Sequence, residues 1–180
     1  ARERLDMTMA WGAALVGHAH PKVLEAAAAQ ARHGANFAAI TRVLVDLAER
    51  IRDLSPCVEK IRFVASGTEA TMLCLRVARA ATGRAKVLKF EGAYHGNHDY
   101  ASFSQFPTAP ANYPLASADS GGVPRPLQDT MMVAPYNDLD TTERIVRQHR
   151  KEIAAIIVEP VQRAIFPKEG FQIGRASCRE

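Results

Sequence analysis

Several short segments combine residue types that could hold and activate a small anionic ligand. The first is Ser66-Gly67-Thr68-Glu69-Ala70, at the foot of a strongly helical stretch. Where a chain turns sharply into a helix, the first backbone N–H groups have no intrahelical acceptor. The helix dipole adds partial positive charge there, so the turn is a ready anion site. Gly67 allows the backbone to approach a phosphate closely, and Thr68 can add a hydroxyl. A plain helix cap, with Thr68 as N-cap and Glu69 in the first turn, accounts for the same residues. The Gly-Lys-Ser/Thr of a nucleotide phosphate loop is missing. The second segment is Phe90-Glu91-Gly92-Ala93-Tyr94-His95-Gly96, directly after a predicted strand. Ligands of open α/β sheets sit at the carboxyl ends of strands. Tyr94 could cover the face of a flat aromatic cofactor, with glycines permitting close approach; a strand-end loop with a half-buried Tyr is the plainer alternative. The third, Val158-Glu159-Pro160-Val161-Gln162, ends an apolar strand on a carboxylate. Such a group needs a partner if buried, so it marks either a polar site at the sheet's carboxyl edge or an exposed strand end. A fourth, Gly17-His18-Ala19-His20-Pro21, sets two His at alternate positions. With His95 and His98 these could complete a metal set, as in a metal-dependent hydrolase. His20-Pro21 also reads as the entry to a helix.

The elements that must position these groups follow from periodicity. Pro21 suits a helix start, and Val23, Leu24, Ala27, Ala28 and Ala31 form a helical stripe that ends near Gly34. Leu44, Leu47, Ala48 and Ile51 predict a second helix, closed by Pro56. Residues 60–64 alternate and predict a short strand. Residues 69–81 predict a helix ended by Gly83, and residues 86–90 a strand. The stretch 91–128 is rich in Pro, Gly, Ser and Asn, and a loop of that length is functional or disordered. A strand at 131–134, a helix at 139–150 and a wholly apolar strand at 153–158 follow, the last of a type buried on both faces of a parallel sheet. Strands alternating with helices predict an α/β fold with a mainly parallel sheet.

The 180 residues suffice for one domain with a real core. The composition is ordinary for a globular chain, 47% hydrophobic and 23% charged with a formal net charge of +4. The basic residues are interleaved with acidic ones, so nucleic acid is not an expected partner. Cys57, Cys74 and Cys178 fit neither a metal knuckle nor a disulfide framework, and Cys57 and Cys74 read as buried thiols of a reducing compartment. No apolar run has the ~20 residues of a spanning helix, and no secretory pattern opens the chain. A soluble cytoplasmic protein is therefore expected, with no membrane partner.

Taken together, and in this order and spacing, the four segments resemble the class III, fold-type-I pyridoxal-phosphate aminotransferases. The resemblance runs from about Asp6 to Phe171. Ser66-Gly67-Thr68-Glu69-Ala70-Thr71-Met72 followed by Lys89-Phe90-Glu91-Gly92-Ala93-Tyr94-His95-Gly96 is most similar to the glutamate-1-semialdehyde aminomutase branch. The resemblance implies a partial fold-type-I large domain, a mainly parallel sheet with flanking helices, preceded by an N-terminal segment over residues 1–40. The large domain would occupy residues 41–171. It implies pyridoxal 5'-phosphate as cofactor, a small amino compound as substrate, and a homodimer with the active site at the subunit boundary. Ser66, Gly67 and Thr68 would hold the cofactor phosphate. Tyr94 would stack on the ring, His95 would support that face, Glu159 would lie near the ring, and Trp11 would lie near the substrate. The reaction implied is transfer or internal shift of an amino group.

The chain also departs from that pattern. Where many members continue Glu-Pro-Val with Ala-Gly-Asn or Gln-Gly-Glu, it has Gln162-Arg163-Ala164-Ile165. The Asp that pairs with the pyridine nitrogen and the Lys that forms the Schiff base are expected beyond Phe171, in a longer parent. Lys22, Lys60, Lys86, Lys89, Lys151 and Lys168 occupy none of the expected contexts. Residues 172–180 have no helical or strand period and read as a non-native tail, like the translation of a sequencing-adapter end. The 180-residue chain is accordingly expected to be catalytically inert and prone to aggregate, a cofactor-domain piece with a residual phosphate site.

Overall fold

The computed structural model describes residues 3–107 and 112–171; the tail expected at 172–180 lies outside them. The chain divides into two compact units, Ala1–Ile61 and Arg62–Glu180.

The first unit holds a short 3-10 turn, Met9–Gly12, and two helices, α1 (Pro21–Ala31) and α2 (Arg42–Leu54). Pro21 opens α1, where its missing N–H costs nothing. Thr41 caps α2, its hydroxyl accepting the Leu44 N–H at 3.4 Å. Asp6 gathers the turn: its carboxylate accepts the N–H groups of Thr8 and Met9 and pairs with His18 Nε2 at 2.6 Å. Met9, Ala10 and Trp11 all have left-handed backbone angles, and Trp11 is 95% exposed. The reading of 1–40 as a segment and 41 as the start of the sheet-bearing domain differs from this division, which keeps α2 in the first unit.

The second unit runs α3 (Gly67–Thr82), β1 (Lys86–Phe90), α4 (Arg125–Gln128), β2 (Met131–Ala134), α5 (Leu139–His149) and β3 (Ile153–Ile156). The strands form one parallel sheet in the order β2-β1-β3, each pair joined by a crossover connection as parallel neighbours need. In β1 the two-residue period splits the core. Leu88 and Phe90 join Met132, Ala134, Ile145 and Phe171 on one face. Val87 joins Leu75, Phe103, Ala116, Met131 and Val133 on the other. The aromatic ring of Phe90 meets Tyr136 and Phe171 edge-on at 5.9 and 5.5 Å. Gly83 ends α3 in the left-handed conformation, its N–H returning to Arg79 O at 2.9 Å.

Three expectations are corrected here, and of the two readings of 91–128 only disorder is set aside. Residues 60–64 form no strand, because alternation alone does not make one and no ladder partner lies beside them among the described residues. The strand expected over 153–158 stops at Ile156; among the described residues it is the sheet edge, with a neighbour on one side only and only Ile153 of the strand buried. Cys57 and Cys74 are exposed, not buried: no layer of the described chain covers them. The described parts of 91–128 are packed structure. Phe103 pairs with Ala118 and Leu115 with Met132, and Ala93, Ala101, Phe103 and Ala116 are buried. Among the described residues no helix is long and apolar enough to cross a membrane.

Candidate active site at the amino end of α3

Ser66, not Thr68, caps α3. Its hydroxyl accepts the Glu69 N–H at 3.2 Å, while Glu69 Oε2 reaches back to the Ala65 N–H at 2.8 Å. That reciprocal pair releases Thr68 for another partner, which is why the alternative reading of Thr68 as the cap fails. Helix geometry leaves the N–H groups of Gly67 and Thr68 without intrahelical acceptors. A Cβ built on Gly67 meets no atom within 4 Å, so the approach to those groups is open.

The loop after β1 lies directly on this helix end. Thr68 Oγ1 accepts the Asn97 N–H at 3.2 Å. Thr71 Oγ1 donates to His95 O at 2.6 Å and lies 3.2 Å from His98 Nε2. Gly96 makes the approach feasible: with φ +101°, a Cβ there would stand 2.8 Å from Thr68 Cα.

From the other side the loop is fastened by the chain after β3. The Glu159 carboxylate accepts two backbone N–H groups, Tyr94 at 2.5 Å and Arg163 at 3.0 Å. Gln162 Nε2 donates to Glu91 O at 2.7 Å, under Gly92. Tyr94 keeps its side chain half exposed beside this anchor. Two sets of hydrogen bonds thus hold one loop: the α3 end with Thr68 and Thr71 holds Asn97 and His95, and Glu159 holds the neighbouring Tyr94. Trp11, His18 and His20 belong to the first unit.

His95 is buried, and its Nε2 has no hydrogen-bond partner among the described residues. Burial, reinforced by the nearby charge of Lys89, pushes its pKa down to about 4. An unfolded His titrates near 6.5. The unfolded chain therefore binds the extra proton first, and His95 costs stability as pH falls from about 6.5 toward 4. Denaturation midpoints measured across that window should drop less steeply in His95→Gln than in the wild type, with His98, also lowered by burial, keeping a residual slope; parallel profiles would contradict the buried neutral imidazole.

The alternative of a metal set at His18, His20, His95 and His98 finds no support. Among the described residues no group of three or more His, Cys, Asp or Glu is placed to hold a metal ion. His18 is instead engaged by Asp6.

Sequence reasoning missed Lys89, Thr71, Asn97 and Gln162. Lys89 is fully buried, and its ammonium donates to the carbonyls of Ala93, Ala101 and Phe103. A signal existed: a lysine at the inward position of an otherwise apolar strand must find polar partners. The other three act through backbone groups of a loop, which no side-chain pattern announces.

The sequence matches the class-III aminotransferases over residues 1–173. The chain belongs to the class-III aminotransferase family. A glutamate-1-semialdehyde 2,1-aminomutase from Chloroflexus aggregans is 45% identical over 173 residues, covering 94% of this chain and 39% of that protein. An omega-transaminase from Sphaerobacter thermophilus superposes with a TM-score of 0.87 at 39% identity, over 92% of this chain and 39% of its own. A K286A glutamate-1-semialdehyde aminomutase from Pseudomonas aeruginosa PAO1, solved in complex with PMP, superposes with a TM-score of 0.78 at 28% identity, over 92% of this chain and 36% of its own. The chain spans about two fifths of the length of the relatives it matches. Its α/β unit is therefore part of a fold-type-I pyridoxal-phosphate transferase domain. The family's cofactor fits what is present. An open, dipole-bearing helix end suits a phosphate, the loop that it holds carries a half-exposed Tyr94 side chain, and two buried polar atoms, His95 Nε2 and Gln162 Oε1, have no partner among the described residues.

Proposed function

We propose that the protein to which this chain belongs is a pyridoxal-phosphate-dependent aminotransferase or aminomutase acting on a small amino compound. The carrying observation is the meeting of the α3 amino end with the Tyr94 loop, stitched together by Thr68 and Asn97 and fastened by Glu159. Gly67 and Thr68 N–H groups, with the Ser66 turn, receive the phosphate. Tyr94 covers one face of the ring. His95, kept neutral by its burial, would support that face without adding a positive charge. Glu159 orients Tyr94 through its backbone. Pyridoxal phosphate, when bound, supplies the electron sink that labilises bonds at the amino-bearing carbon.

Lys89 is not the lysine for covalent attachment in this reading, because its three protons are taken by carbonyls. That lysine is assigned to the remainder of the longer protein, with Trp11 on the substrate side. A homodimer suits the first unit, whose helices bury no side chain of their own. A cytoplasmic location completes the reading.

Equilibrium dialysis of the chain tests it. Pyridoxal phosphate should bind at least about tenfold more tightly than pyridoxal, which lacks the phosphate. Equal affinities would sink the site. Tyr94→Ala should weaken retention by about 1 kcal/mol through the lost ring contact, and unchanged affinity would remove Tyr94 from the site. In the full-length protein, assay with glutamate-1-semialdehyde against a panel of amino donors and keto acids separates internal shift from transfer.

A further inference from the structure

We propose that Lys89 is a positioning residue: its ammonium group, caged by three backbone carbonyls, fixes the loop that carries Tyr94 and His95 over the amino end of α3. The inference rests on reading that loop as the ring-covering wall of the cofactor site. It adds a residue that touches neither cofactor nor substrate.

Lys89 is fully buried in β1, two residues after Val87 and so on the face where Val87 meets Leu75, Phe103, Met131 and Val133. An apolar side chain of similar length would fill that space without the desolvation cost of a charge. What a lysine adds is three protons in tetrahedral array. The structure supplies three acceptors for them: Ala93 O at 3.0 Å, Ala101 O at 3.3 Å and Phe103 O. The partners are carbonyls, not carboxylates, so the group does not serve as half of an ion pair. The charged or titratable groups around it are Asp119, Glu159, Arg163 and His95. Burial pushes its pKa down to about 8, which leaves the ammonium, with all three donors, as the main form at neutral pH.

The placement of the acceptors gives the cage its consequence. Ala93 immediately precedes Tyr94, and Ala101 and Phe103 close the same excursion. One nitrogen therefore pins both ends of residues 93–103. The middle is pinned separately, by Thr68 on Asn97 and by Thr71 on His95. With both ends and the middle fixed, the Tyr94 backbone has little freedom left, and Glu159 takes its N–H. Without the ammonium, the Ala93 and Phe103 carbonyls lose their donor, Ala101 O keeps only the Phe103 N–H and Gln105 Nε2, and the link between the two ends of the loop is gone.

The test uses the whole chain. In Lys89→Ala, hydrogen exchange at Gly92, Asn97, Ala101, Phe103 and Ser104 should accelerate about tenfold or more. Exchange at the sheet amides of Val87 and Ile157 should hold within about twofold. The visible circular dichroism of bound pyridoxal phosphate, which reports ring orientation, should diminish. Propylammonium, the missing end of the side chain, should restore both signals, and propan-1-ol should not. Unchanged loop exchange, equal loosening of loop and sheet, or equal rescue by the alcohol would each overturn the proposal. If the wild type binds no pyridoxal phosphate, the cofactor reading fails while the exchange comparison still judges the cage. Should Lys89→Ala fail to fold, nitrogen-15 NMR of the wild-type lysines at neutral pH decides: a caged Lys89 gives a slowly exchanging ammonium signal, and exchange as fast as that of the exposed lysines overturns it.

Discussion

Gly96→Ala should lower stability by roughly 2–4 kcal/mol and weaken pyridoxal-phosphate retention about a hundredfold. Two costs coincide at this position. Gly96 has φ +101°, which L side chains rarely adopt, and its new methyl would stand 2.8 Å from both Cα and Oγ1 of Thr68. Nonbonded carbons settle at about 3.5–4.0 Å. Thr68 cannot retreat alone, because it lies in the first turn of α3, which is fixed by the Ser66–Glu69 cap. The loop must therefore lift, breaking the Asn97–Thr68 bond and moving Tyr94 with it. Gly67→Ala is the control. Its Cβ meets nothing within 4 Å and its backbone is helical, so the fold should tolerate it while a phosphate is crowded. Denaturation midpoints and dialysis on both variants separate the effects: Gly96→Ala loses both properties, Gly67→Ala only binding. A Gly96→Ala chain that keeps both would show that the loop does not rest on Thr68.

Elements whose signal is local were legible in the sequence. The α1 start at Pro21, the α3 end at Gly83, and the strands β1 and β2 follow from a helix cap, a left-handed stop and apolar runs between breakers. Elements whose state depends on a neighbour were not. Residues 60–64 carry strand alternation, yet a strand needs a ladder partner, and none lies beside them among the described residues. The run at 153–158 has the composition of a central strand but, among the described residues, occupies an edge, so its outer residues, such as Ile156, remain exposed. Composition records how apolar a segment is, not how many layers cover it.

The site divides the same way. Gly67, Thr68, Tyr94 and Glu159 announce themselves as residue types at element ends, where an α/β sheet places ligands. The groups that hold them together are backbone atoms: Asn97 N, His95 O, Ala93 O, Arg163 N. Every residue carries these groups, so no pattern singles them out before the chain is folded. Only the side chains sent to meet them could have been noticed, and Lys89 was the most conspicuous of these.

Glu159→Gln carries the second large effect, about 2 kcal/mol in stability and up to about fivefold in cofactor retention, the loss that Tyr94→Ala itself produces. The family resemblance puts Glu159 beside the ring, but the structure commits each of its oxygens to a backbone N–H, Tyr94 on one side and Arg163 on the other. Glutamine has the same shape with a single oxygen. Its amide nitrogen must face one of those two donors, so either the Tyr94 or the Arg163 anchor becomes a donor-against-donor contact. Arg163 holds a left-handed backbone angle, φ +54°, and its guanidinium reaches Gln105 O at 3.1 Å. Losing its anchor would release strain that the carboxylate now restrains. Whether Glu159 acts through Tyr94 or on the cofactor itself is decided by a double-mutant cycle. If Glu159 works by orienting Tyr94, Glu159→Gln adds little to the affinity loss already present in Tyr94→Ala. If the carboxylate contacts the cofactor independently, the two losses sum, and additive losses would refute the positioning role that the hydrogen bonds assign it.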